Sequence, residues 1–217
     1  KLKAVVIKLR LTKLPIFGQV EWGGDKYHLH IWSVSEMKAF LERYFEVTEA
    51  PLRHATVDDL ERYPWPNLTP PGRFAGLAER AKAIQDAGYA SVLLSHVTLF
   101  EQACMLRGLD ALLLDSLADE EFFSALMAKI ESLAIPYVRA LMAEVGAYAD
   151  IIVTGDDLGT TGGPMLAPES YRRLIKPHEA RVIAAMNELY PVKVFFHSCG
   201  NVYAFLGDLA EIGVDLI

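Results

Sequence analysis

Val192-Lys193-Val194-Phe195-Phe196-His197-Ser198-Cys199-Gly200-Asn201 is an apolar run that stops abruptly at a histidine, a cysteine and a glycine. Residues rich in Val and Phe after Pro191 predict a buried strand, and the Gly-Asn pair marks its exit into a turn. Chemically able side chains therefore sit where a strand ends. Residues two apart in an extended segment face the same side, so His197 and Cys199 present an imidazole and a thiol together. Zinc accepts both donor types. For the pair taken alone, a core cysteine beside a hydrogen-bonded histidine is the ordinary alternative.

The same arrangement recurs upstream. Asp150 to Thr154 reads as a second buried strand, and it runs into Gly155-Asp156-Asp157-Leu158-Gly159 and a Thr-Thr-Gly-Gly loop ending at Pro164. Adjacent aspartates flanked by glycines suit a general base, acceptors for a polar substrate, or ligands of a hard cation, with capping and turn formation as the plainer reading. Ala90 to Ser95 reads as a third buried strand, followed by His96 in the position that His197 holds on its own strand. His96 either lines a pocket or is a satisfied structural histidine.

Helical patterns separate these strands. Arg73 to Ala87 is closed by Gly88, Leu99 to Leu106 contains Cys104 as a small core residue, and Asp119 caps a long pattern to Gly146 with Pro136 inside, where a kink or break is expected. Pro168 starts a helix to about Glu188 that Lys176-Pro177-His178 interrupts, with His178 on the outer surface, and Val202 to Ile212 precedes Gly213 and a further strand start at Val214 to Ile217. Strand and helix alternate with crossovers long enough for parallel pairing. An eight-stranded barrel and an open doubly wound sheet both fit that order. No Gly-x-Gly-x-x-Gly turn follows a strand, and three successive strands end in polar residues, which favours a (β/α)8 barrel. A complete barrel takes about 250 residues. About five core strands are expected here, so the chain reads as an incomplete barrel and as a fragment.

Composition narrows the function classes. The chain has 217 residues, 52% hydrophobic, with a formal net charge of −7 and two cysteines, Cys104 and Cys199. That size buries a sizeable core. The acidic balance, without a Lys/Arg cluster, argues against nucleic acid or an anionic membrane as the main partner. Reduced thiols and the lack of a signal-like start or long apolar run lead to the expectation of a cytoplasmic location. Residues 1–50 form an N-terminal segment of uncertain structure, and 51–217 the partial barrel as a single domain. Within the first segment Lys3 to Leu11 suggests a short strand, Gly23-Gly24 a turn, and Ser35 to Phe45 an amphipathic helix. His28 and His30 share a face if extended, most simply as exposed strand histidines. Thr56 caps a short helix that Tyr63-Pro64-Trp65-Pro66 ends, and that aromatic-proline cluster reads as a stiff, packed loop.

Several of these motifs together resemble a known family. Ala55 to Pro66, Gly155-Asp156-Asp157-Leu158-Gly159, the Pro168 helix with Ile175-Lys176-Pro177, and Phe196-His197-Ser198-Cys199-Gly200-Asn201-Val202 look like the uroporphyrinogen decarboxylase superfamily, and more narrowly its corrinoid-linked methyltransferase branch. The resemblance implies a (β/α)8 barrel and zinc held through a His-x-Cys pair, here His197 and Cys199, with a further cysteine expected beyond Ile217. It implies methyl transfer between a small-molecule donor or acceptor and a corrinoid carried on a partner protein. In that reading Asp156 or Asp157 orients substrate or handles a proton, and His96, Asp156 and Asp157 contact substrate. A uroporphyrinogen-type decarboxylase is the alternative. It would want several arginines at strand ends, and Arg73 and Arg107 are not placed that way. A non-catalytic subunit that binds the corrinoid protein is a third reading.

Overall fold

The computed structural model describes residues 17–22, 25–30, 50–95 and 97–217. The chain divides into two compact units, Lys1–Thr48 and Glu49–Ile217. In the first, β1 (Phe17–Trp22) and β2 (Asp25–His30) form an antiparallel hairpin in which Trp22 faces Asp25, so two residues, Gly23 and Gly24, connect the strands. The strand expected at Lys3 to Leu11 and the helix expected at Ser35 to Phe45 lie outside the described residues, as does His96.

The second unit carries the candidate chemistry. Its helices are α1 (Val57–Arg62), α2 (Leu77–Asp86), α3 (Phe100–Arg107), α4 (Leu109–Ala118), α5 (Glu120–Val145), α6 (Pro168–Leu174), α7 (Lys176–Met186) and α8 (Leu206–Glu211). Between them run β3 (Val92–Leu94), β4 (Ile151–Gly155), the two-residue strands β5 (Gly159–Thr160) and β6 (Gly163–Pro164), and β7 (Lys193–His197). β3, β4 and β7 make a parallel sheet in that order, and Leu216 extends it with a parallel bridge to Phe195. Neighbours in the sheet follow chain order without reversal. That order is the one a barrel segment has throughout, whereas a doubly wound sheet keeps it only on one side of its switch point.

Local signals explain most boundaries. Asp59 accepts hydrogen bonds from the backbone N–H and hydroxyl of Thr56, both at 2.8 Å, and fixes the start of α1. Asp119 caps α5 by accepting from the Phe122 N–H at 3.1 Å. α5 continues through Pro136 without a break, since one missing donor in a 26-residue helix is outweighed by a buried stripe including Phe123, Met127, Val138 and Met142. Pro177 has the opposite effect: the expected single helix from Pro168 divides at Ile175 into α6 and α7. α2 starts at Leu77, four residues after Arg73, because Gly72 and Gly76 take positive φ and hold the intervening chain in turns.

The helices cover one face of the sheet. Ile152, Val194 and Phe196 are buried against them, and Leu93 packs beside Ala81 and Leu141. The opposite face carries Val92, Leu94, Val153, Phe195 and His197. β3 was expected to be buried throughout, yet Val92 and Leu94 are 51% and 58% exposed, because they point away from the helices at the edge of the sheet. His178, expected on the outer surface, is largely shielded between α5 and α7, with Nδ1 2.5 Å from Glu131 Oε2. Arg107 is buried: it bridges to Asp115, donates to the Leu52 and Ala55 carbonyls, and stacks 3.9 Å from the Phe122 ring centre.

The tightest point of the sheet is Gly155, opposite His197. A Cβ at Gly155 would lie 2.1 Å from the His197 carbonyl oxygen, inside any permitted contact. Gly155→Ala should therefore push β7 from β4 and cost about 1–3 kcal/mol, read as a lowered urea midpoint with unchanged slope.

Candidate metal centre

Three backbone-directed bonds stitch the ends of β4 and β7 together. The Asp156 N–H donates to the His197 carbonyl at 3.1 Å, the Leu158 N–H to Ser198 Oγ at 3.0 Å, and the Cys199 N–H to Asp157 Oδ1 at 2.7 Å. Gly200, at φ 79°, then turns the chain against Gly159, where a Cβ would meet the Gly159 backbone at 2.4 Å. The loops are thus fixed by main chain as well as by side chains.

This fixes the direction of the donors. Cys199 Sγ lies 3.6 Å from His197 Nε2, and Asp157 Oδ1 lies 3.9 Å from the same nitrogen. One donor atom from each of the three residues falls within 4.8 Å of the others. Zinc–nitrogen and zinc–sulfur bonds of about 2.0 and 2.3 Å at tetrahedral angles give donor separations of roughly 3.3–3.6 Å, so small side-chain adjustments would let the set share one cation. His197 and Cys199 are exposed, and Asp157 is partly so. The Asp157 carboxylate raises the Cys199 thiol above its usual range by hydrogen bonding and charge.

Asp156 faces elsewhere. The sequence reading kept the two aspartates together, but Asp156 is 2% exposed and its two oxygens accept from the Leu99 and Glu101 N–H groups at 2.9 and 2.8 Å. It ties the start of α3 to the end of β4, and no solvent-facing oxygen is left for a substrate. Strand alternation explains the split: Thr154 and Asp156 point to the helices, whereas Asp157 follows Val153 and Gly155 to the other face.

Two residues enter that the sequence reading left without a role. Ser198 holds the Asp157–Leu158 turn through its hydroxyl. Glu101, in the first turn of α3, shares with His197, Thr98, Leu94 and Val153 the lining of a cavity of about 200 Å3 beside the donors. Burial, then the Asp157 charge, raises the Glu101 carboxyl above its ordinary value. The signal for Glu101 was an acidic residue in the first turn of the helix that follows β3. Cys104 is not part of the site: it is shielded, and burial pushes its thiol up to about 12.

Beneath the site lies a buried acid pair. Glu179 of α7 is 3% exposed, receives the Tyr171 hydroxyl at 2.6 Å, and lines a small internal cavity with Asp156. Its Oε1 has no hydrogen-bond partner among the described residues. Burial raises both carboxyls; the Asp156 charge adds to the rise at Glu179, whereas backbone N–H donors partly offset it at Asp156, so Glu179 is the member that holds its proton longer. The Tyr171 hydroxyl is raised as well, by burial and then by the Glu179 charge.

Comparisons with known proteins agree on the fold. Residues 45–217 match the family model for uroporphyrinogen decarboxylase (URO-D). Among solved structures, a methyltransferase from Methanosarcina mazei superposes with a TM-score of 0.50 at 20% identity, covering 64% of this chain and 39% of that one. The chain therefore spans well under half of that neighbour's length, and at this identity the likeness speaks to the barrel fold alone. No curated protein matches the chain. No helix among the described residues is long and apolar enough to cross a membrane.

A raised carboxyl favours folding below its unfolded pKa and loses that contribution as pH rises through the folded value. Wild-type stability should therefore fall from about pH 5.5 to about pH 8.5 relative to Glu179→Gln, which carries no such proton. Glu179→Ala strips the Tyr171 hydroxyl of its acceptor and should cost about 1–3 kcal/mol at either pH. Urea unfolding at both pH values measures these differences, and parallel wild-type and Glu179→Gln profiles would rule out a retained proton.

Proposed function

The chain belongs to the uroporphyrinogen decarboxylase family, and from that premise we propose that it is the zinc-binding part of a methyltransferase working with a corrinoid protein. The observation that carries the reading is the convergence of Asp157, His197 and Cys199 on one exposed point at the strand ends. An imidazole, a thiol and a carboxylate form a donor set suited to zinc, and three protein ligands leave a fourth position open to a small molecule. Zinc held there would supply Lewis acidity, which would lower the pKa of a coordinated substrate thiol or polarise a methylated substrate.

The protein's own residues then divide the work. His197 and Cys199 would hold the metal, and Asp157 would supply the third donor from within this chain. Asp157 Oδ1 also receives the Cys199 N–H, so the carboxylate that binds also orients the sulfur. Glu101, with its carboxyl raised, faces the adjoining cavity and holds or accepts a proton from a small substrate there. Asp156 fixes the loop and does not touch substrate. The cavity beside His197 is framed mainly by apolar groups, and the decarboxylase alternative gains no support from Arg107, which is committed to Asp115 and two carbonyls.

Zinc content and thiol labelling test the proposal directly. The full chain should hold about one zinc, with Asp157→Asn weakening binding about 10- to 100-fold and Cys199→Ser abolishing it and methyl transfer to a corrinoid protein. After chelation iodoacetamide should alkylate Cys199 and spare Cys104, and added zinc should protect Cys199. An intact protein that takes up no zinc, or whose Cys199 labels equally with and without it, would defeat the mechanism.

A further inference from the structure

The Tyr63-Pro64-Trp65-Pro66 stretch, expected to be a packed loop, instead helps to wall a half-open cavity of about 370 Å3. The volume lies within the range of small-molecule sites, roughly 300–1,000 Å3. α5 contributes Ile130, Leu133, Ala134 and Tyr137 to the same cavity. Its aromatic members are held from behind. Trp65 Nε1 donates to the Leu60 carbonyl at 2.6 Å, Tyr63 and Trp65 meet edge-on with ring centres 4.8 Å apart, and the Tyr137 hydroxyl donates to the Ser95 carbonyl at 3.1 Å. Pro64 between Tyr63 and Trp65, and Pro66 after them, stiffen the loop. The surface is thus built before any ligand arrives, which lowers the cost of binding a flat ring.

Charge narrows the ligand further. No Asp or Glu appears among the described residues lining the cavity, whereas Arg73 does, its guanidinium 5.3 Å from the Tyr137 ring centre. Lys129, outside the lining, lies 5.9 Å from the Trp65 ring centre. Thr98 and Gln102 supply neutral hydrogen-bonding groups. An aromatic-walled cavity with a cation and no lining carboxylate selects for a ring that carries one negative charge.

We propose that this cavity binds a planar aromatic carboxylate of one or two rings, stacked among Trp65, Tyr63 and Tyr137, with its carboxylate on Arg73. The site is distinct from the metal donors. Val97 and Thr98 line both this cavity and the one beside His197, so the two are neighbours that share a wall. Binding here requires no zinc and no methyl transfer.

Calorimetric titration of the full chain with 2-naphthoate, with and without chelator, tests the site, using neutral 2-naphthamide as the uncharged match. The expected result is saturable 2-naphthoate binding that chelator leaves unchanged, with 2-naphthamide at least about tenfold weaker. Arg73→Leu, a change at an exposed position, should remove that preference, and Ala134→Leu, which fills part of the cavity, should weaken both ligands. Absence of saturable binding, equal affinity for the two probes, or an unchanged preference in Arg73→Leu would overturn the proposal. Loss of naphthoate binding on chelation would place the ligand at the metal donors and overturn it equally. A chain that binds naphthoate yet takes up no zinc would sustain this site while defeating the methyl-transfer reading.

Discussion

Everything at the candidate centre depends on how closely two neighbouring strands end together. β4 and β7 meet at Gly155 and His197, where the absence of a single methyl group lets one backbone lie against the other. From that contact the Asp156 N–H reaches the His197 carbonyl, and the next residues are in range for Asp157 to take the Cys199 N–H. Donor positions a few ångströms apart in space, but forty residues apart in sequence, thus follow from sheet register. Parallel pairing is what converts two separate strand ends into one cluster.

The second support is electrostatic and lies underneath. Asp156 places a carboxyl in the interior, where burial raises it and main-chain donors partly offset that rise, an arrangement that also fixes the entry to α3 and hence the position of Glu101. A second ionised carboxylate at Glu179 would add several kcal/mol of desolvation and repulsion without a nearby cation among the described residues to offset it. Keeping Glu179 neutral and bonded to Tyr171 avoids that penalty. The exposed chemistry of Asp157 and the buried chemistry of Asp156 are therefore linked through one turn of backbone.

Much of this arrangement was legible in the sequence, for definite reasons. Apolar runs that stop at His197 and at Asp156 identified the strand ends, and the two-residue period placed His197 and Cys199 side by side. Glycine and proline located most helix ends, as at Gly88, Pro168 and Gly213. The same period also separates Asp156 from Asp157, a distinction the sequence reading did not draw. Glu179 occupies the buried stripe of α7 with Ile175, Val182, Ile183 and Met186, so a carboxylate at an apolar position was a visible sign of an unusual proton. Other features depend on three-dimensional neighbours. The exposure of Val92 and Leu94 follows from β3 lying at the sheet edge, and the hollow behind Tyr63-Pro64-Trp65-Pro66 depends on where α5 passes.

The exposure of Cys199 also has a redox consequence. Of the two cysteines it is the exposed one, one residue past a serine and beyond the end of the strand, whereas Cys104 is half-buried. Peroxide would reach that sulfur first, and a sulfenic acid there can no longer act as a thiolate ligand. Cys104, half-buried with its thiol pushed up to about 12 by burial, is a poor resolving thiol, so recovery would fall to an external reductant. Oxidative damage and loss of a donor from the candidate cluster would then be a single event at a single atom.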